Sequence, residues 1–248
     1  HLHNIRVIQK HNTRVIQKHN IRVIHKRIKT MATIAELLAS SLDALKQVQR
    51  GEDFMIIKNS DLSRTHIKRL VDNHFLKPII KGWYVVTDPR AMPGDSTAWF
   101  ASFWNFITRY ANERYGNEWC LSAEQSLSIY TGATTIPNQV LIRAPKGNDY
   151  MVSLIPPTSI FNLEAELPSK IDTNNLYNLN LYTLAEAIIV ATPTMYRNDA
   201  LTMRTALAMV HDSSDILKIL VDTGQTVRAG RVIGAFRNIG RTDIANEI

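Results

Sequence analysis

Apolar residues recur at every third or fourth position in the first orderly part of the chain, IAELLASSLDALKQVQRG, which begins at Ile34. This spacing puts them on one face of a helix, and Gly51 predicts where that helix stops. A short β-like run, FMIIK, and the polar stretch NSDLS come next. Ser63 then predicts the start of a second amphipathic helix, RTHIKRLVDN, because its hydroxyl can accept hydrogen bonds from the free amides of the first turn.

The segment after this basic helix has the pattern of a β-hairpin. FLKPIIKG and WYVVT are two apolar-rich runs that meet at Lys81 and Gly82, and glycine can take the positive φ that a tight turn needs. The predicted order from Ile34 is therefore helix, short strand, short helix, basic helix and hairpin. This is the order of a winged helix-turn-helix, whose recognition helix enters the major groove of DNA.

The rest of the chain predicts a domain that contains a sheet, followed by a helical end. TAWFASFWNFITRYANERYG places Trp99, Phe103 and Phe106 on one helical face, which favours core packing over base stacking. SAEQ, from Ser122, has the form of a capping box, and QVLIRAP and MVSLI are candidate strands. We therefore expect an α+β protein that has an N-terminal winged helix-turn-helix over 31–90, a small mixed α+β middle domain over 96–190 and C-terminal helices over 191–248.

The excess positive charge of the chain lies in residues 1–30. The octads HNIRVIQK, HNTRVIQK and HNIRVIHK follow one another there, and the segment carries eight basic side chains and no acidic one. The net charge of the whole chain is +7, so the other residues sum to −1. A period of eight residues matches neither a heptad nor a solenoid repeat and cannot bury a core. We expect a disordered or loosely formed leader, which is either a non-native extension ahead of Met31 or a basic arm with sequence-blind affinity for phosphates.

Composition narrows the class of protein. Hydrophobic residues make up 45% of the chain and charged residues 21%, which is enough apolar material for a folded core. Cys120 is the single cysteine, so an internal disulfide framework or a cysteine-clustered zinc site is excluded and a reducing compartment is indicated. No apolar run approaches the roughly 18 to 20 residues that span a bilayer. We therefore expect a cytoplasmic protein.

Outside the leader, positive charge is concentrated at the predicted winged helix. Residues 58–81 hold six basic and two acidic side chains, a local charge of +4. Basic side chains neutralise phosphates and release counterions, while side chains at the start of a recognition helix reach base edges. The alternative is a basic helix face that is merely solvated. Double-stranded DNA is the expected partner, and the expected contacts are Arg64, Thr65, His66, Lys68 and Arg69 on the helix and Lys77 and Lys81 on the wing.

The stretch SDLSRTHIKRLVDNHFLKPIIKGWYVV resembles the N-terminal winged-helix domain of AbiEi-type antitoxins. A wider resemblance rests on GWYVVTDP, GDSTAWFASFWNFITRY, EWCLSAEQSLSIYTG, QVLIRAPKGN and VRAGRVIGAFRNIGRTDIANEI. In that order, these stretches are similar to the regulatory region ahead of the Fic domain in bacterial Fic, or cell filamentation, proteins. The resemblance implies a transcriptional regulator or antitoxin-like module whose partner is a Fic domain or cognate toxin, in the same chain or a separate one.

The catalytic motif of the Fic family, HPFxxGNGR, transfers AMP from ATP to a target hydroxyl. None of the eight histidines here precedes Pro-Phe, so we expect this chain to be non-catalytic and to need no cofactor. The pattern of an amphipathic helix still runs at Ile248, which leads us to expect that a longer protein or a downstream reading frame carries the Fic domain. The alternative to DNA binding is a protein-interaction module, in which the wing and the aromatic helix restrain a Fic AMP-transferase or toxin.

Other candidate chemistry is weaker. Asp212 and Asp215 beside His211 favour a helix cap over a metal site, and Cys120 lies between aromatic and apolar residues as a small buried hydrophobe would. GRVIGAFRNIGR holds three glycines but neither GxGxxG nor a P-loop. We expect these glycines at a helix packing contact, and we expect no catalytic residue and no metal ligand.

Overall fold

The computed structural model describes residues 33–49 and 55–248, and its fold is α+β. The predictions for the basic leader, for Met31 and for Gly51 lie outside the described residues. The chain begins with two helices and a three-stranded antiparallel sheet in the order β1-β3-β2. These elements are α1 (Ile34–Val48), β1 (Ile56–Lys58), α2 (Arg64–Asp72), β2 (Leu76–Ile80) and β3 (Trp83–Val86).

The predicted first helix, basic helix and hairpin are confirmed, but the predicted short helix between β1 and α2 is wrong. Residues 59–62 form a turn instead, in which Asp61 Oδ2 accepts from the Lys58 amide at 2.8 Å. The Asp61 amide in turn donates to the Lys58 carbonyl at 3.0 Å. Few residues separate β1 from α2, and the last of them, Ser63, caps α2, so the chain has room for a turn but not for a helix.

The middle of the chain combines an aromatic helix with a mixed sheet, as expected. The sheet order is β4-β5-β7-β6; β5 and β7 run parallel in register from Gln139 opposite Ser159 to Ala144 opposite Glu164, and β8 pairs with β9 in a separate ribbon. The elements are α3 (Thr97–Tyr115), β4 (Cys120–Leu121), α4 (Ala123–Tyr130), β5 (Gln139–Ala144), β6 (Tyr150–Ser153), β7 (Ser159–Glu164), β8 (Ile171–Thr173) and β9 (Asn180–Tyr182).

The capping box predicted at Ser122 is half correct. The Ser122 hydroxyl accepts from the Gln125 amide at 3.2 Å, as an N-cap should. The Gln125 side chain, however, does not return to the cap. It bridges to β5 by donating to the Gln139 carbonyl at 2.8 Å and accepting from the Leu141 amide at 3.1 Å. Gln125 therefore links α4 to β5 by two hydrogen bonds instead of closing the capping box.

The C-terminal part is helical, and Thr183 and Thr192 cap its first two helices. The predicted packing contact for the glycines is wrong at Gly230 and Gly234, which are exposed and would place an added Cβ in open space. No helix within the described part of the chain is both long and apolar enough to cross a membrane. The elements are α5 (Leu184–Val190), α6 (Pro193–Asn198), α7 (Ala200–Ala208), α8 (Ser214–Thr223), α9 (Thr226–Asn238) and α10 (Thr242–Glu247).

The sheet of the winged unit is covered on both faces. In β1, Ile57 packs into the small core beneath α1 and α2, while its neighbour Ile56 packs into the central core built on α3. Trp83 and Val85 of β3 join that central core as well. Successive side chains of a strand point to opposite faces, so α1 and α2 lie on one side of this sheet and α3 on the other. The wing is thus anchored from behind by the aromatic helix.

Candidate nucleic-acid interface

The basic helix α2 presents its first turn to solvent. Ser63 caps it by accepting from the His66 amide at 3.3 Å, which confirms the predicted N-cap. The apolar side chains Ile67 and Leu70 are buried against the small core, and this fixes which side of the helix faces outward. The outward side chains at the start of the helix are Arg64, Thr65 and Lys68.

Lys68 takes part in an exposed ion pair. Its ammonium lies 2.7 Å from Asp72 Oδ2, one helical turn away, and both side chains are more than half exposed. An ion pair of this kind contributes little to stability, because water screens it and two flexible side chains must be held in place. Lys68 can therefore exchange Asp72 for a phosphate at small cost.

His66 and Arg69 are placed differently from the other predicted contacts, because both side chains turn back to α1. Arg69 Nη1 donates to Ser41 Oγ at 2.8 Å and to the Leu37 carbonyl at 3.1 Å. His66 Nδ1 lies 2.9 Å from the same Ser41 oxygen. These three side chains join α1 to α2, and we refer to Ser41, His66 and Arg69 as the Ser41 junction.

The Ser41 hydroxyl is the shared hydrogen-bonding group of the Ser41 junction. The Ser41 hydroxyl is fully buried and donates its one proton to the Leu37 carbonyl at 3.0 Å. Ser41 Oγ also accepts from Arg69, whereas the direction of its contact with His66 Nδ1 is set by the tautomer of the imidazole. A buried hydroxyl with three hydrogen-bond partners holds α2 in position on α1.

The wing supplies the other two predicted contacts. Lys81 and Gly82 form the two-residue turn between β2 and β3, and Gly82 has φ +83°, which confirms the hairpin expected there. A Cβ at Gly82 would lie 3.2 Å from the side-chain nitrogen Nδ2 of Asn59, so both the positive φ and the space beside Asn59 favour glycine. Lys77 and Lys81 are both exposed on this hairpin. They extend the positive surface beyond the start of α2.

Not all of the charge counted in residues 58–81 faces solvent. Lys58 forms an ion pair with Glu113 of α3 and stacks over the Trp83 ring, with its ammonium 5.4 Å from the ring centre. Arg109 of α3 lies over the same ring at 5.6 Å and reaches Asp61 Oδ2 at 3.4 Å. Lys58 and Arg109 therefore fix the wing to α3, and neither is available to bind a phosphate.

Cys120 and Asp212, which the sequence offers as candidates for chemistry, both have surroundings that suit a structural role. Burial raises the pKa of the Cys120 thiol to about 12, so the nucleophilic thiolate is scarce at neutral pH. Asp212 accepts from the Ser214 amide at 2.8 Å just before α8, whose N-cap residue is Ser213 and makes no side-chain cap bond. Within residues 33–49 and 55–248, no three His, Cys, Asp or Glu side chains come together as possible metal ligands.

Comparison with known proteins adds no relative from which a role could be transferred. A scan against protein-family models matched none of them. A search of curated proteins likewise found no match. The exposed surface of α2 and the wing is therefore the basis for assigning a role.

Proposed function

We propose that this chain binds double-stranded DNA through α2 and the β2–β3 wing and acts as a transcriptional regulator or antitoxin-like module. The observation that carries the proposal is the joint exposure of Arg64, Thr65 and Lys68 at the start of α2 with Lys77 and Lys81 on the adjacent hairpin. Side chains at the N-terminal end of a recognition helix reach base edges, and basic side chains on a wing hold the backbone.

The roles of these residues differ with their chemistry. Arg64 is the best candidate for reading a base, because a guanidinium can donate two parallel hydrogen bonds to guanine in the major groove. Lys77 and Lys81 are candidates for phosphate contacts, which position the protein without reading sequence. Arg69 and His66 hold α2 to α1. Direct contact of these two residues with DNA stays a prediction.

The regulated protein in this proposal is a Fic domain or cognate toxin, in accord with the resemblance of the sequence. Neither comparison bears on that part of the proposal. It predicts a non-catalytic role for this chain, with the AMP-transferring or toxic activity supplied by a separate domain or protein.

The test is fluorescence anisotropy with the duplex upstream of the chain's own gene and a scrambled duplex at two salt concentrations. The full chain and residues 31–248 are compared, because a basic leader that binds phosphates would add sequence-blind affinity. About a hundredfold tighter binding to the native duplex supports the proposal. Equal affinity for both duplexes, or none, would overturn sequence-specific binding.

Three single substitutions test which residues contact DNA. Lys81→Gln is expected to lower the slope of log affinity against log salt by about one, since one phosphate contact is lost. Arg64→Gln is expected to cost about 1–3 kcal/mol on the native duplex and much less on the scrambled one. Lys218→Gln is the control, because it removes the same charge from an exposed position on α8. Equal losses in all three variants would indicate general attraction of a positive protein to DNA.

A second candidate function, restraint of a protein partner, is favoured by a different surface. The aromatic side of α3 is buried within the chain, so it cannot also receive a partner. The edge strand β6, in contrast, pairs with β7 alone among the described strands and exposes Tyr150 and Met151 by about half. Open edges of this kind accept an added strand. A pull-down of the adjacent gene product that DNase does not disturb, and that Met151→Lys abolishes, would support this function.

A further inference from the structure

A cleft between α7 and α9 has not been assigned a role above. Two adjoining cavities of about 320 Å³ and 570 Å³ lie there, and both are lined by Arg204, Asn238 and Ile239. Volumes in this range are those of sites for small molecules. The cleft is formed entirely by the C-terminal helices and the residues just after them, so it is separate from α2 and the wing.

Three guanidinium groups line the cleft, and no acidic side chain does. Arg231 donates to the Ala191 carbonyl at 3.0 Å, and Arg241 donates to the Val210 carbonyl at 3.0 Å. Arg241 also forms an ion pair with Asp243, whose Oδ2 lies 3.2 Å from Nη2, so Arg204 and Arg231 are the two lining cations whose charge is not balanced by an acidic side chain of the described residues. These backbone contacts hold two of the arginines in place while leaving some of their N–H groups unused, since each guanidinium has five. Arg204 is exposed and has no partner in the part of the chain that the structure describes.

The inner wall of the cleft is apolar. Met203 and Leu207 of α7 line it with almost no exposure, and Ile239 lies at the junction of the two cavities. Tyr196 closes one end, with its ring 5.8 Å from the Arg231 guanidinium carbon. The cleft therefore offers two kinds of surface, an anion-binding rim and an apolar floor.

We propose that this cleft binds a small organic phosphate, with the phosphate on Arg204 and Arg231 and an apolar or aromatic body against Met203 and Leu207. A phosphate monoester carries a charge of about −1.5 to −2 at neutral pH and has three acceptor oxygens. It therefore matches several guanidiniums better than a carboxylate does, and arginine forks bind it with two parallel hydrogen bonds. Asn238 adds an amide that can bind a hydroxyl or a phosphate oxygen.

Phenyl phosphate is a suitable probe, because it joins a dianionic phosphate to a flat apolar ring. The experiment is titration of the ¹⁵N-labelled full chain with phenyl phosphate and, separately, with inorganic phosphate, observed by amide chemical shifts. Shifts are expected at the amides of α7 and α9, with phenyl phosphate binding about tenfold tighter because the ring leaves water. No shifts there, or equal affinity for the two probes, would overturn the proposal.

Charge-matched variants separate this site from attraction to the basic leader. Arg204→Gln should weaken phenyl phosphate by about tenfold or more, because a charge-assisted hydrogen bond is lost at the rim. Arg237→Gln is the control: Arg237 is exposed on α9 and lies outside the lining of both cavities. It should change the affinity by less than about twofold. Equal weakening by both substitutions would mean that the probe follows net charge, and the proposal would fail.

Discussion

The Ser41 junction allows a sharp test of how α2 is held on α1. Ser41→Ala removes the hydroxyl that accepts from Arg69 and contacts His66 but keeps the helix, because alanine is a strong helix former. Both Arg69 and His66 contact this one buried hydroxyl. We therefore expect this single substitution to loosen the whole α1–α2 contact.

The size of the effect follows from the two hydrogen bonds. A neutral hydrogen bond contributes about 0.5–1.5 kcal/mol and one to a charged group about 1.5–3 kcal/mol. Arg69 and His66 are only partly buried, so water can replace some of what they lose. We expect a destabilisation of about 1–2 kcal/mol, which for a chain of this size is about 2–8 °C in Tm.

Ser102→Ala provides a matched control. Ser102 is also buried in a helix and also donates to the carbonyl one turn back, Ala98, at 2.7 Å. Within the described residues its hydroxyl has no further partner. A serine bonded only to its own helix contributes little, so this substitution should change Tm by less than about 2 °C.

The assay is thermal unfolding of both variants by circular dichroism, followed by DNA anisotropy at a temperature where both are folded. The expected result is a lower Tm for Ser41→Ala alone and weaker DNA binding, because α2 is no longer held rigidly. Equal Tm values for the two variants would refute the reasoning. A double-mutant cycle with Arg69→Gln should give a coupling of about 0.5–1.5 kcal/mol, and strict additivity would show that the serine and the arginine act separately.

Three other predictions concern single residues. Arg69→Ala should lower Tm, because the contact with α1 is lost. It should also weaken operator binding by about 1–3 kcal/mol if Arg69 reads a base, or lower the salt slope by about one if it holds a phosphate. Unchanged DNA binding and salt slope would restrict Arg69 to the α1–α2 contact. His74→Gly should stabilise the chain by about 0.5–1 kcal/mol in urea unfolding, because His74 has φ +61° just after α2, and a loss of stability would contradict that reason. Gly147→Ala should lower the free energy of unfolding by about 1–3 kcal/mol, because the added Cβ would lie 2.3 Å from the Leu163 carbonyl oxygen of β7. Gly234→Ala, in open space on α9, should raise it by about 0.5–1 kcal/mol. Similar values for the two variants in urea unfolding would refute the steric argument.

Local rules predicted the elements that carry the candidate interface. Ser63 was identifiable as an N-cap and Gly82 as a turn residue, because each meets a requirement of its immediate neighbours. The aromatic face of α3 was likewise predicted to be core from spacing alone, and Trp99 and Phe106 are buried. The usual element order of a winged helix predicts a short helix at residues 59–62, but Asp61 closes a turn on Lys58 there instead.

Contacts between distant polar residues could not be predicted from the sequence. Periodicity tells which side of a helix is apolar, but His66 and Arg69 lie on the border of that side. Whether a border side chain turns to solvent or to another helix depends on what lies across the gap. Here a small buried residue, Ser41, offers two lone pairs at that place. The spacing of Arg109 and Glu113 on α3 likewise does not reveal that they pair with Asp61 and Lys58, because these residues meet only when the wing packs on α3.

The placement of the wing sheet also bears on the choice between the two proposed functions. α1 and α2 cover one face of this sheet and α3 covers the other, so α2 and the contact with the middle of the chain lie on opposite sides. Trp83, with Lys58 and Arg109 over its ring, fixes the sheet against α3. The strand β6 belongs to the other sheet, and none of the residues proposed to contact DNA is part of it. The two proposed functions therefore use different residues of the chain.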